Sequence, residues 1–404
     1  MRFEQGLPAG NGCMQGSALS EGLLRPRGIG TAALRLAADL RAGTGHAEPS
    51  PPVATAGQSR GIPPLFCPIP SSIHPHAADI ERRALAWAEE FGLGTSEVGR
   101  RRLIGSKSAQ WCCRLAPDGD PELLELAAEW TYASFLFDDD HLDESGSQPD
   151  ASVSMIGEVL RALDSPESTD ASNSPYPAAY RDLSRRLRKA AGAVAVRRWI
   201  DGHTEWFLGA LSGLTYRAAS RHFSLGDCLN MGHRDAGIKI CYSLVEIANG
   251  AALPDDVLLA SRPLQVATQA AHFLVSADAA IFSFDREVDQ GSEQINLVNA
   301  LMRHLDCDRG RALVEAVALR DAVMVLLMQL RRQTPGVVEQ LYLRQLGTFV
   351  SGNLHWCLTN ERYNTEVGRS PGSTGLSSMP TEGTIDPRTL PQIGWWWRGT
   401  PTRG

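Results

Sequence analysis

Apolar residues recur at three- and four-residue spacing through most of the chain between about residues 62 and 365, and strand-type alternation is nearly absent. ADIERRALAWAEEFGL (78–93) shows this period plainly. PELLELAAEWTYASFLF (121–137) opens on Asp120 and Pro121, a good N-cap followed by a first-turn proline. Its C-terminal half is almost continuously apolar, as expected for a helix at the centre of a bundle. Residues 145–176 read as one short helix between two polar loops, and helical patterns follow at 178–218, 225–250, 263–289, 294–304, 309–332 and 336–363. About ten helices and no sheet predict an all-α bundle of roughly 300 residues, a size one core reaches when helices surround a central cavity.

The ends differ. Residues 1–60 are rich in Gly, Ala, Pro and Ser, with helical periodicity only in TAALRLAADLRA (31–42), and too few core formers to offset chain entropy. From about 368 onward the chain is again poor in core formers, although it ends in Trp395-Trp396-Trp397. The expected organisation is a disordered extension (1–60), a helical domain (61–367) and a flexible tail (368–404). With 43% hydrophobic and 21% charged residues the middle is globular in type. A net charge of −7 over 404 residues argues against nucleic acid or an anionic membrane as partner. No apolar run is long enough to span a bilayer and no secretory signal opens the chain, so it reads as cytoplasmic. The eight cysteines form no CxxC pair and read as reduced thiols.

Candidate chemistry begins at Phe135-Leu-Phe-Asp138-Asp139-Asp140-His141-Leu142-Asp143-Glu144, directly after the apolar helix. On a continuing helix Asp139 and Asp143 stand one turn apart with Asp138 beside them. Carboxylates this close repel and raise each other's pKa unless a cation neutralises them. They also oppose the helix dipole. A hard divalent ion such as Mg²⁺, which takes one or two carboxylates, several waters and substrate phosphates, answers that need. The segment 263–289 ends SADAAIFSFDREVDQG, with Ala279, Ser283 and Glu287 on one face and Arg286 beside the glutamate.

These two segments resemble the bacterial class I terpene cyclases, whose helices carry Asp-Asp-x-x-x-(Asp/Glu) and Asn-Asp-x-x-Ser-x-x-(Lys/Arg)-Glu. Asp138-Asp139-x-x-x-Asp143 matches the first, and IFSFDRE (281–287) matches the second half of the second. Trp356-Cys-Leu-Thr-Asn-Glu-Arg362-Tyr363 resembles the closing Arg-Tyr pair with its pocket aromatic six residues earlier. CLNMGHRDAGIKI (228–240) resembles the helix carrying a diphosphate-sensing arginine and a helix-break glycine, here Gly237. PPLFCPIPSSIHPHA (63–77) is similar to the family's N-terminal approach segment.

The resemblance implies a class I terpenoid synthase bundle holding up to three Mg²⁺ ions at Asp138, Asp139, Asp143, Ser283 and Glu287. It implies an isoprenyl diphosphate held by His233, Arg234, Arg286, Arg362 and Tyr363. Asp138, Asp139, Arg362 and Tyr363 would be catalytic, and Phe135, Gly237, Phe282 and Trp356 would line the pocket, with Trp206 and Phe273 as further rings. The reaction implied is diphosphate departure followed by cyclisation of the carbocation. The Pro-rich extension and PPLFCPIP resemble cyclases that make the C11 homoterpene 2-methylisoborneol, which implies geranyl or 2-methylgeranyl diphosphate, with farnesyl diphosphate also open. The resemblance is compatible with a homodimer, and with an extension that addresses the protein to a partner or compartment.

The family asparagine and the following aspartate fall on Ala279 and Ala280, and the sensing arginine on His233. An active cyclase with a remodelled second metal site is the expectation. The alternatives are a catalytically impaired cyclase-like binding protein and an isoprenyl diphosphate synthase, the latter lacking its second Asp-rich motif here.

Overall fold

The computed structural model describes residues 62–143, 149–169, 172–360 and 375–398. Among them the periodic segments form fourteen α-helices. The first half contains α1 (Ala77–Glu90), α2 (Glu97–Ser106), α3 (Ser108–Leu115), α4 (Pro121–Asp138), α5 (Pro149–Asp164), α6 (Pro175–Ala190) and α7 (Ala193–Ala218). The second contains α8 (Leu225–Asp235), α9 (Ile238–Ala248), α10 (Asp255–Ala260), α11 (Arg262–Gln290), α12 (Leu297–Leu305), α13 (Arg309–Gln333) and α14 (Val337–Thr359). The all-α bundle expected from the periodicity is present.

Three boundaries differ from the periodic reading. The 178–218 pattern is two helices broken at Gly192, and 225–250 is two helices broken at Gly237, whose φ of +60° is left-handed backbone that favours glycine. Helices α2 and α3 were not expected, because EVGRRRLIGS carries too few apolar residues to show a period. Lys107, itself left-handed at φ 46°, turns one into the other.

Helix α4 sits at the centre of the first half, against α1, α3 and α6, and α11 occupies the same place in the second, against α13 and α14. Helices α7, α8 and α9 close the ring between them. The α7–α8 contact is close: a side chain at Gly209 would meet the backbone nitrogen of Asp235 at 2.3 Å.

The expected flexible tail is corrected over residues 375–398, which lie against the bundle. Leu376–Ser377 pairs in parallel with Leu65–Phe66, a two-residue ladder where no strand was expected. The Glu315 carboxylate accepts from the backbone of Thr384 (2.9 and 3.0 Å) and Ile385 (3.3 Å). Trp396 is buried, donates to Gln269 at 3.2 Å and stands edge-on to Phe273, and Arg262 lies over the Trp395 ring at 5.8 Å. A composition poor in core formers is thus ordered by buried carboxylates of α13 and by one tryptophan. Replacing Trp396 with alanine should cost roughly 3 kcal/mol, at the lower end for a buried tryptophan because the segment is terminal. Equilibrium urea unfolding measures it, and an unchanged midpoint would mean the segment does not contribute to cooperative unfolding.

The extension (1–60) lies outside the described residues. The seven described cysteines form no disulfide with one another, and burial pushes the Cys112 thiol up to about 12.

Candidate active site

The expected cap of α4 is present: Asp120 accepts from the backbone of Glu122 (2.8 Å) and Leu123 (3.2 Å). At its far end the helix does not continue as predicted, because Asp139–Asp143 forms a π-helical turn. A π-turn closes from i to i+5 rather than i to i+4, so the turn carrying the acids is wider than the α-helical one expected. The side chain of Asp143 lies outside what is described.

Asp139 is 7% exposed and faces Arg102 at 3.8 Å. Asp140 accepts from the Tyr176 hydroxyl at 2.5 Å, and burial together with that bond pushes the phenol's pKa up. The run of acids is therefore divided. Asp140 is engaged by α6 and Asp139 faces Arg102, while Asp138 is half-buried at the end of α4. Arg217 of α7 donates to the carbonyl of Leu142 at 2.6 Å and so ties this turn to the second motif.

On α11, Ser283 and Glu287 face one cleft with Ser276 and Ala279, joined by Arg217 and Asp235 from the facing helices. The cleft encloses about 710 Å³ of empty space including its open mouth. Ser283 donates to Glu287, and the Asn296 amide donates to the other Glu287 oxygen at 2.9 Å and to the Ala280 carbonyl at 2.9 Å. The Asn296 side-chain oxygen caps α12 through Val298 at 2.8 Å. Ala279 presents only a methyl group. The Arg286 Nε is buried without a hydrogen-bond partner among the described residues, which suits an absent acceptor.

Arg217 and Asn296 were not anticipated. Asn296 carried a faint signal as an N-cap before Leu297-Val298, whereas nothing in the sequence distinguishes Arg217 from other helical arginines.

The helix break behaves differently from expectation. Helix α8 and its C-cap lend Gly232, Asp235 and Ala236 to the cleft, and neither His233 nor Arg234 is among its lining. Arg234 is directed to Glu205 at 3.8 Å and to the carbonyl of Asn230. Burial pushes His233 down to about 4, helped by neighbouring Arg234, so its imidazole is neutral. Its ring faces His272 with centroids 6.4 Å apart. Arg217 is the arginine that lines the cleft. Arg362 and Tyr363 lie outside the described residues.

Phe135 and Trp356 are brought together, stacked at 6.2 Å and 24°. Trp111 of α3, missed because α3 was missed, completes the cluster at 5.8 Å from Trp356. Trp356 is oriented by its Nε1 bond to the Ser106 carbonyl, and Trp111 by Asn353. Trp206 lies over Gly237, and Phe273 lines the cleft. Phe282 does not line it: the ring is 1% exposed and projects about 100° around the helix from Ser283, into core packing.

The donors present are all hard oxygens. Among the described residues no three acidic, His or Cys groups converge, so each motif offers a partial set of the kind Mg²⁺ shares with waters and substrate phosphates. On that chemistry the residues fit the ion.

Comparison with known proteins gives concordant findings. Residues 129–324 match the model of terpene synthase family 2, C-terminal metal binding. The chain is 30% identical over 358 residues to bonnadiene synthase of Allokutzneria albata, covering 84% of this chain and 98% of that one. It is 28% identical over 341 residues to a Streptomyces clavuligerus (+)-T-muurolol synthase described as (2E,6E)-farnesyl diphosphate cyclizing, covering 83% and 81%. The fold superposes on a crystal structure of the SVS_A2 protein, from ancestral sequence reconstruction, with TM-score 0.73 and 28% identity over 84% of this chain and 99% of that one.

Proposed function

The chain belongs to the bacterial class I terpene cyclases and is a terpene synthase, and from that premise we propose that it ionises and cyclises an allylic isoprenyl diphosphate with Mg²⁺ held at Asp138, Asp139, Ser283 and Glu287. The observation that carries the reading is the cleft in which Ser283, Glu287 and Arg217 meet, with Arg217 bonded to the acidic turn. Mg²⁺, when bound, supplies positive charge that stabilises the departing diphosphate. Arg217 adds fixed positive charge on the leaving-group side, and Arg286, next to Glu287 in sequence, is assigned to the diphosphate by resemblance. Asn296 and Ser283 hold the Glu287 carboxylate in one orientation, partly offsetting the donor lost at Ala279. Phe135 and Trp356, assigned to the pocket by resemblance, pack with Trp111 into an aromatic cluster whose π faces suit a cation. Arg362 and Tyr363 are assigned to the diphosphate by resemblance. The Streptomyces clavuligerus relative, whose name prints farnesyl diphosphate, favours that substrate over the C10–C11 substrates expected from the N-terminal segment.

Purified protein incubated with Mg²⁺ and C10, C11, C15 or C20 diphosphates, with diphosphate release and volatile products measured, tests the reading. Turnover of the C15 substrate is expected, and no release from any of the four would sink it. Restoring the missing amide by Ala279→Asn should lower the Mg²⁺ concentration needed for half-maximal rate severalfold with the same products. An unchanged Mg²⁺ dependence would mean that position does not face the ion.

A further inference from the structure

Helix α7 carries Gly209, Gly213 and Arg217 at four-residue spacing, one stripe along one face, and the end of α8 lies across it. The Asp235 backbone is pressed onto Gly209, where a Cβ would collide with its nitrogen. One turn on, a Cβ at Gly213 would stand 3.4 Å from the Arg217 Nη1 and 3.7 Å from the Asp235 Oδ1. The two glycines thus leave the space that the Asp235 carboxylate and the Arg217 guanidinium share. The other guanidinium nitrogen, Nη2, donates to the Leu142 carbonyl of the acidic turn at 2.6 Å. Arg217 therefore stands between that turn and Asp235, and both residues line the cleft with Ser283 and Glu287.

Asp235 is poorly placed for its own helix. It is the last residue of α8, where a negative charge opposes the helix dipole. It also shares the cleft with a second acid: burial raises the thiol of Cys228, which lines the cleft, and the charges of Asp227, Asp235 and Glu287 add to the shift. Carboxylates facing one space repel unless a cation stands with them, and a cleft for an anion gains nothing from a bare acid. A carboxylate that orients an arginine meets both objections, because the planar guanidinium fork has its direction fixed when acceptors take its outer donors. The cleft-facing side of α8 also carries Gly232, one turn before Asp235, and a Cβ there would meet nothing within 4 Å. Helix α8 leaves this space clear, and the arginine reaches the cleft from α7.

We infer that Asp235 is a positioning residue, which holds the Arg217 guanidinium toward the diphosphate in a space that Gly232 leaves clear. The inference rests on the cyclase reading above and deepens it. Asp235 itself touches neither ion nor substrate and acts through the arginine.

The test is calorimetric titration of the full-length protein with inorganic diphosphate in excess Mg²⁺, each variant being checked for folding by thermal melting. Asp235→Asn keeps size and removes the charge, and two accounts of the residue predict opposite signs for it. Losing a negative charge beside a bound anion tightens binding, whereas losing the partner of the arginine weakens it. Binding about tenfold weaker is expected for Asp235→Asn, and about thirtyfold weaker for Arg217→Met, in line with the loss of a charge-assisted hydrogen bond. The double variant should bind no more weakly than Arg217→Met, since residues acting as one unit are not additive. Adding Gly232→Arg to Arg217→Met puts a guanidinium into the same space, one turn from Asp235, and should recover most of the loss. Unchanged or tighter binding by Asp235→Asn overturns the inference, as do losses that multiply in the double variant. Should Asp235→Asn not fold, the Gly232→Arg addition decides alone, and a folded protein without recovery overturns the inference. Failure of wild type to bind diphosphate with Mg²⁺ marks failure of the cyclase reading itself, and the inference falls with it.

Discussion

Asparagine in place of Asp138 is expected to lower turnover of farnesyl diphosphate by about 10²–10³-fold, the size of effect seen when one group stabilising transition-state charge is removed. Asp138 is half-buried at the junction of α4 and the π-turn. Asp140→Asn provides the contrast. That carboxylate is exposed and already bonded to Tyr176, so its loss should change turnover only a fewfold. Steady-state kinetics of the two variants decide the matter. Equal losses would mean that the π-turn does not divide the acidic run between ion and scaffold.

The second large effect is on stability. Arg320 is fully buried and donates to Asp278 at 2.8 Å, to Asp321 at 3.1 Å and to the Phe66 carbonyl. Asp321 in turn accepts from the backbone of Phe66 at 3.1 Å and of Thr381 at 2.9 Å. The cluster thus pins both the N-terminal approach segment and the C-terminal segment to α13. Burial alone would lower the Arg320 pKa, but the two carboxylates outweigh it and hold the guanidinium charged.

Arg320→Met leaves two buried carboxylates without their cation, which should cost about 3–5 kcal/mol, or roughly 6–20 °C in melting temperature. Burial already raises both acids, and without Arg320 their folded-state pKa values rise further above the unfolded ones. Protonation then favours the folded state, so the variant's deficit should shrink as pH falls toward 5 and grow as pH rises. Asp278→Asn added to Arg320→Met should recover part of the loss. A variant melting within 2 °C of wild type would show that the cluster is dispensable.

Much was legible before any coordinates. Local periodicity specified the helices, since burial of one face repeats every three or four residues whatever the neighbours are. The acidic run at 138–143, the Ser283 and Glu287 pair, and the aromatics Phe135 and Trp356 stood out because their residue types at those spacings serve little other chemistry. What escaped falls into one physical class, side chains whose meaning depends on a partner distant in sequence. Arg217 is an ordinary helical arginine until the acidic turn is folded beside it, and Asn296 an ordinary cap until it meets Glu287.

The same holds for direction. Sequence spacing put His233 and Arg234 at the family's sensing position, but only the packing of α8 against α7 and α11 decided which of its faces the cleft would take. Residues 375–398 were expected to be flexible because composition counts core formers and cannot count buried carboxylates waiting for backbone donors. The sequence by itself therefore determined the helical architecture, the family and the oxygen chemistry of the site, all carried by local pattern. The tertiary structure alone decided the π-turn that divides the acids and the arginine that bridges the motifs, because each exists only where separate helices converge.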